Sequence, residues 1–427
     1  MSKAVLKNDL AWEHLFRKYK IISVVKKYGF FRISASLIKE FREPRLMTKF
    51  DHKSNLPEIF RNNNLSILPV TRGDYIIAPM ELYQDIDEYI NSEIKYFSIP
   101  EHLQSLNQNI TSESNAINSA YISGILSDFL EEEDLLPTVS GRMGSGCFSF
   151  EVNSSENRGM FNVEVENSQI EIDGGYEGLE SFAIIEAKNS LSHDFLIRQL
   201  YYPCHLWSEK VKKPIRPVFM IYANGLFYLY EYKFSNINYY NSIELVKTGL
   251  YSLEERAVTQ EEIVSLLSLD QSLKEPELPF PQANSFERII NLCELLFDRK
   301  LTRDEITSKY DFNSRQTNYY TDAGRYLGLI AKKRSGDVYF ELTPVGNRIL
   351  KLKFKERQLK FAELILKHKV FADSLKLYFK KAEEPSKLEI VSIMKACKLY
   401  KIDSENTFER RASTVLSWID WVINLQR

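Results

Sequence analysis

Three residues in the middle of the chain combine types and spacing that can do chemistry. Asp173 closes the alternating run FNVEVENSQIEID (161–173), and Glu186 and Lys188 stand two apart in FAIIEAK (182–188). Residues two apart on a strand point to the same face, so an extended 182–188 puts Glu186 and Lys188 on one side. A neighbouring strand that ends at Asp173 brings a second carboxylate beside the first. Two carboxylates a few ångströms apart, with a backbone carbonyl and waters, are hard oxygen ligands suited to Mg²⁺. A lysine on the same side can contact a phosphate, stabilise developing charge or orient an attacking water. The set is an apparatus for phosphodiester hydrolysis, with Asp173 and Glu186 as the expected metal ligands, Mg²⁺ as the expected cofactor and Mn²⁺ as its substitute. The plain alternative is an edge strand with a solvated Glu–Lys pair, worth at most about 1 kcal/mol. The apolar run up to Glu186 argues against it, because a charge in such a strand needs a partner.

Other polar residues nearby read less sharply. Glu171 shares the face of Asp173 by alternation, and Glu177 lies in the GGYEG loop at the rim. His193 and His205 have no zinc-like spacing and no cysteine partner, and the Cys204 thiol reads as core. The glycine-rich GRMGSG (141–146) lacks the lysine of a phosphate-binding loop, although its Arg142 can touch a phosphate.

The elements that must hold these residues follow from periodicity. Residues 111–131 read as a helix capped by Thr111 or Ser112, with Ile117, Tyr121, Ile125 and Phe129 on one face and Pro137 and GRMGSG stopping it. Three strands are expected at 147–152, 161–173 and 182–188, then a helix over 192–210. Residues 218–234 read as a hairpin about Asn224-Gly225, the pair that favours a type I′ turn. Upstream, 8–42 reads as helical and 65–79 as a hairpin about Arg72-Gly73-Asp74, together resembling a small winged-helix module. Residues 80–105 read as a polar helical connector. Downstream, the proline-rich stretch 271–285 reads as a linker. Three helices and a wing, KKRSGDVYFELT, are expected over 286–350, and helices over 356–427.

Asp173…Glu186-Ala187-Lys188, inside a helix–strand–strand–strand–helix–strand order, resembles the PD-(D/E)XK nuclease superfamily, with Ile172 where the family's name has proline. The stretch IEIDGGYEGLESFAIIEAKNSLSHDFLIRQLYYP resembles a group of bacterial type II restriction endonucleases. So do EPRLMTKFDHKSNLPEIF and RRASTVLSWIDW towards the two ends. The resemblance implies that Glu113, near the start of the preceding helix, supplies an additional carboxylate. It also implies that Gln199, on the following helix, faces the site. A helix-start carboxylate favoured by the dipole is the competing account of Glu113, and a surface position that of Gln199.

Charge supports a polyanionic partner. Residues 1–75 hold 15 Lys and Arg against 7 Asp and Glu, 76–285 hold 13 against 32, and 286–427 hold 28 against 19. Basic ends (+8 and +9) thus flank an acidic middle (−19), within a net charge of −2. In the basic C-terminal part, NSRQTNYYTDAGRYLGLI is the candidate reading helix. Arg315, Gln316 and Asn318 lie in its first turns, where base edges are read. Lys332, Lys333 and Arg334 begin the wing and suit phosphates. Tyr319 and Tyr326 read as core. Lys49, His52 and Lys53 are further N-terminal candidates for DNA contact. A winged helix used only for dimerisation is the alternative account of this part.

The four cysteines share no CxxC spacing, the N-terminal residues show no signal-peptide pattern, and no window reaches the roughly 18 apolar residues of a membrane span. A reduced cytoplasmic setting is expected. The expected fold class is α+β, with an N-terminal helical or winged-helix-like DNA-contact domain (1–105), a nuclease domain (106–270), the linker, a winged-helix domain (286–355) and a C-terminal helical domain (356–427). The function expected from resemblance and residues together is a Mg²⁺-dependent type II restriction endonuclease acting on double-stranded DNA. A homodimer, at least when cleaving, and a cognate DNA methyltransferase are its expected partners. A nuclease of the same fold that reads modified or structured DNA is the alternative, followed by a non-catalytic winged-helix regulator.

Overall fold

The computed structural model describes residues 7–86, 93–106, 110–156, 159–253, 258–267, 273–310, 312–397, 399–400 and 402–426. Two compact units emerge: residues 1–106, 112–222 and 226–251 form the first, and 107–111, 223–225 and 252–427 the second. Both mix helices and strands. Among the described residues, no helix is long and apolar enough to cross a membrane.

The first unit begins with α1 (Lys7–Lys18), α2 (Ile21–Tyr28), β1 (Phe31–Ser34), α3 (Ala35–Lys39), α4 (Pro44–Met47), α5 (Glu58–Arg61), β2 (Ser66–Pro69) and β3 (Asp74–Ala78). The helical reading of 8–42 is therefore corrected. Lys20 and Gly29, at φ 51° and 87°, interrupt it, and Phe31–Ser34 leaves helical geometry to pair antiparallel with β3. The sheet order β1-β3-β2 puts the first strand beside the third. Trp12, Leu15, Phe16 and Phe60 fill the core beneath it. The connector expected to be helical instead carries β4 (Tyr83–Asp85) and β5 (Lys95–Tyr96), while 87–92 lie outside the described residues.

The catalytic candidates lie in the following elements: α6 (Glu113–Ile122), α7 (Ile125–Leu130), β6 (Leu136–Gly144), β7 (Cys147–Asn153), β8 (Met160–Glu166), β9 (Gln169–Glu177), β10 (Phe182–Lys188), β11 (Asp194–Leu196), α8 (Arg198–Ser208), β12 (Ile215–Ala223), β13 (Leu226–Phe234) and β14 (Ile243–Ser252). The single helix expected over 111–131 breaks at Gly124, whose φ of 87° suits a residue without Cβ. A seven-stranded sheet runs β5-β14-β13-β12-β10-β9-β6. β10 lies antiparallel to β9 and parallel to β12. All seven of its residues are buried, which accounts for the continuous apolar run.

Strand assignments differ from the expectation in four places. Residues 136–144, read as a stop, form β6 and pair with β9 through two register shifts. The run 161–173 is two strands, turned by Asn167 at φ 52°. Residues 147–153 pair with β8 in a separate two-stranded sheet, outside the seven-stranded one. The helix expected from 192 starts at Arg198, because Asp194–Leu196 pairs with β4. Alternation marks which residues are extended but does not name the partner strand or the turn.

The second unit contains α9 (Gln260–Leu267), α10 (Phe286–Leu296), β15 (Leu301–Thr302), α11 (Arg303–Lys309), α12 (Ser314–Tyr326), β16 (Ile330–Ser335), β17 (Asp337–Leu342), α13 (Pro344–Leu350), α14 (Phe354–Leu366), α15 (Lys369–Lys381), α16 (Lys387–Ala396) and α17 (Glu405–Asn424). Its small sheet, β15-β17-β16, again sets the first strand beside the third. One hydrophobic cluster runs from Val258 to Val422, so 286–355 and 356–427 share a core. The end of the expected linker is packed into it. Phe280 and Ala283 are buried, and the Trp418 indole N–H donates to the Ala283 carbonyl at 2.7 Å.

Candidate active site

β9 and β10 bring Asp173, Glu186 and Lys188 together. Asp173 Oδ2 accepts from the backbone N–H of Ala187 at 2.9 Å, which ties the middle of β9, a strand that runs on past the expected end to Glu177, against the residue between Glu186 and Lys188. The Lys188 ammonium donates to Glu186 Oε1. Both side chains are enclosed, at 7% and 8% exposure for the two residues, so this is no solvated pair. Gln199 Nε2, on the first turn of α8, donates to the same Glu186 oxygen at 2.5 Å. Its position follows from packing. Cys204 and Trp207 of α8 meet Ile172, Phe182 and Ile184, and Glu186 continues the face of Phe182 and Ile184 along β10.

Glu113 stands at the first turn of α6. Gly174, immediately after Asp173, permits the close approach of that helix, since a Cβ there would lie 3.3 Å from Ile117. The tie is completed by Asn189, one residue past β10. With its amide turned to satisfy both donors, its oxygen accepts from the backbone N–H groups of Ser112 (3.2 Å) and Glu113 (3.0 Å). Burial raises the Glu113 carboxyl above its ordinary value, against the pull of Lys188.

A fourth carboxylate, missed in the sequence, comes from the N-terminal part. Asp51 lies in a segment pinned to β11 and β4. Its carbonyl accepts from Leu196 N at 3.1 Å. His52 Nδ1 lies 2.7 Å from the Asp194 carbonyl, Lys53 N donates to Asp194 Oδ2 at 3.1 Å, and the Tyr83 hydroxyl donates to the Phe50 carbonyl at 3.0 Å. Burial pushes the Asp51 carboxyl up, but Lys188, Lys49, His52 and Arg198 outweigh it and hold the value low. Lys49 Nζ lies 3.5 Å from Asp51 Oδ2.

The electrostatics are those of several carboxylates gathered around the Lys188 ammonium. Burial and the Asp173 charge lift the Glu186 carboxyl to about 8, with Lys188 opposing. Burial alone would depress the Lys188 ammonium, yet Glu186, Asp51, Glu113 and Asp173 raise it, so it stays charged. These donors are carboxylate oxygens, with no cysteine among them, a set suited to a hard divalent cation. Among the described residues, no three His, Cys, Asp or Glu side chains are already drawn together in ligating positions.

The other expected residues lie elsewhere. Arg142 pairs with Glu171 at 3.2 Å on the exposed β6–β9 edge, which engages both away from the centre. Glu177 pairs with Lys213 at 2.8 Å. Lys53 reaches Asp85 at 3.4 Å. His52 is buried and bonded, which corrects its reading as a DNA contact. His193 is exposed. His205 stacks on Phe148 at 4.0 Å, and burial lowers its pKa and keeps it neutral. Burial likewise pushes the Cys204 thiol up.

On α12 of the second unit, Asn313 caps the helix and Gln316 closes a capping box, its Oε1 accepting from Asn313 N at 3.0 Å. That use turns the Gln316 carbonyl back to the backbone, so only its amide N–H₂ remains outward. Arg315 and Asn318 are exposed, with Arg315 Nε 2.5 Å from the Tyr319 hydroxyl. Lys332, Lys333 and Arg334 stand exposed on β16. Tyr326 is core, donating to Glu275 at 2.5 Å.

Asp51, Asn189 and Arg198 had no signal in the sequence. Asp51 lies 137 positions from Lys188, and only the tertiary fold brings them into one electrostatic centre.

Models of three families, each described as a domain of unknown function, match successive parts of the chain: DUF6996 over residues 9–77, DUF6997 over 78–252 and DUF7226 over 288–427. The second spans Glu113, Asp173, Glu186, Lys188 and Gln199, whereas Asp51 falls within the first. No curated protein and no solved structure matches the chain.

Proposed function

We propose that the chain is a Mg²⁺-dependent nuclease that hydrolyses phosphodiester bonds in double-stranded DNA, of the sequence-specific restriction type. The observation that carries this reading is the meeting of Asp173, Glu186, Lys188 and Gln199 at the end of β10. The order α6, β6, β9, β10, α8, β12, with β12 parallel to β10, supports a PD-(D/E)XK core into which the β7–β8 hairpin is inserted.

In this reading Asp173 and Glu186 hold Mg²⁺, and Glu113 and Asp51 add negative charge around it. A cation bound there would polarise the phosphate and lower the pKa of a water. Lys188, kept charged by the surrounding carboxylates, stabilises the charge that builds on the phosphate oxygens. Gln199 fixes the carboxylate plane of Glu186. The exposed Arg315, Asn318, Lys332, Lys333 and Arg334 of the second unit supply duplex contacts in a winged-helix arrangement. Cutting both strands with one centre per chain calls for two copies, at least transiently, and a restriction role calls for a methyltransferase that protects the host DNA.

The test is cleavage of a mixture of unmethylated plasmid and phage DNA with Mg²⁺, by wild type and by Asp173→Asn, Glu186→Gln and Lys188→Ala. Each variant is expected to lose activity by about 10²-fold or more while keeping the wild-type circular dichroism spectrum. A wild type that cuts nothing, or folded variants that cut at its rate, would sink the reading.

A further inference from the structure

We propose that Arg198 grips a backbone phosphate of the duplex beside the scissile bond, a role that rests on the nuclease reading. Arg198 is the first residue of α8, adjacent to Gln199, whose amide reaches Glu186 at 2.5 Å. Its guanidinium is half-buried. Nε is enclosed without a hydrogen-bond partner, and no ion pair forms on the group among the described residues. Arg216 in the same unit is the contrast. Its Nε and Nη2 each meet Glu231 at 2.7 Å and its Nη1 meets the Leu130 carbonyl at 2.6 Å.

Arg198 is held by packing instead. Its carbon lies 5.6 Å from the centre of the Tyr202 ring, one helical turn on. Asp51 and Tyr83 are close enough to feel its charge, yet Asp51 forms no ion pair with it. Enclosing one guanidinium N–H without an acceptor costs free energy, and the rest of the half-buried group is left able to take a partner. The partner that fits a planar fork of donors is a carboxylate or a phosphate. In a centre already crowded by Asp51, Glu113, Asp173 and Glu186, a phosphodiester is the acceptor that must be drawn in. Lys188 donates to Glu186 and Lys49 is drawn towards Asp51, whereas among the described residues no acceptor meets the Arg198 guanidinium. Gln199 and Arg198 then divide the first turn of α8: one orients the metal-side carboxylate, and the other holds the substrate.

The experiment uses the full chain with Arg198→Gln and Arg198→Lys. Affinity for a short duplex is measured against NaCl concentration in Ca²⁺, and cleavage of the plasmid and phage mixture in Mg²⁺. Arg198→Gln is expected to lower the salt slope by about one and cleavage by about 10²-fold. Arg198→Lys keeps the charge and the slope but loses the fork, with cleavage down about tenfold. An unchanged slope in Arg198→Gln overturns the inference while wild-type cleavage leaves the nuclease reading standing. A lowered slope in a chain whose wild type never cuts keeps the phosphate contact and overturns the nuclease reading. A wild type that binds no duplex overturns both. If Arg198→Gln does not fold, Arg198→Lys decides: a wild-type rate refutes the bidentate contact, and a slower rate with unchanged slope supports it.

Discussion

Glu186→Gln is expected to remove cleavage and, without metal, to stabilise the protein at alkaline pH. Burial is the main cause that moves the Glu186 carboxyl from 4.5 to about 8, with Asp173 and Asp51 adding to it and Lys188 opposing. A carboxyl with a raised folded value holds its proton more tightly when folded. Stability is therefore lost as pH rises through the unfolded value, and the loss is complete above about 8. At about 1.4 kcal/mol per pH unit the gap corresponds to at most about 5 kcal/mol. Glutamine keeps the shape and the acceptor for Gln199 and Lys188 but carries no charge. Leaving the buried Lys188 without its charged partner opposes the gain, so the net stabilisation at pH 8.5 is smaller than that bound. Urea denaturation in EDTA from pH 5 to 9 measures this. Wild type should weaken across the range and Glu186→Gln should stay flatter. Saturating Mg²⁺ should restore the wild type, since a ligand bound only by the folded state stabilises it, and leave the variant unmoved. A wild-type curve flat with pH, or a variant weaker than wild type at pH 8.5, would refute the placement of a strained charge at this position.

Three further outcomes follow from the geometry. Ca²⁺ should support duplex binding without turnover, because its loose coordination does not hold the octahedral arrangement Mg²⁺ imposes; cleavage in Ca²⁺ at the Mg²⁺ rate would contradict it. Arg315→Ala should weaken cognate binding by about 1–3 kcal/mol more than scrambled binding, whereas Lys332→Ala and Lys333→Ala should weaken both alike; salt titrations on the two duplexes separate these effects. His52→Ala should cost about 1–3 kcal/mol by orphaning a buried polar contact to Asp194 and should slow cleavage as the Asp51 segment loosens; denaturation curves and rates that both match wild type would show that the pin is unimportant.

Much of the centre could be read from the chain because its chemistry is local. Glu186 and Lys188 share a face by the two-residue period of a strand, and the apolar run before them announces a strand covered on both sides. The Asn224-Gly225 turn was likewise legible, both residues taking positive φ. By itself the sequence determined that 182–188 is a buried strand, where Glu186 and Lys188 fall along it, and how charge divides along the chain. Only the tertiary structure decided that 136–144 pairs with β9 while 147–153 leaves the seven-stranded sheet. It also decided that Gln316 closes a helix cap, and that Asp51 and Arg198 stand at the centre. The physical reason is that strand pairing, side-chain burial and the summed field of four carboxylates depend on contacts between residues far apart in the chain, and periodicity carries no information about them.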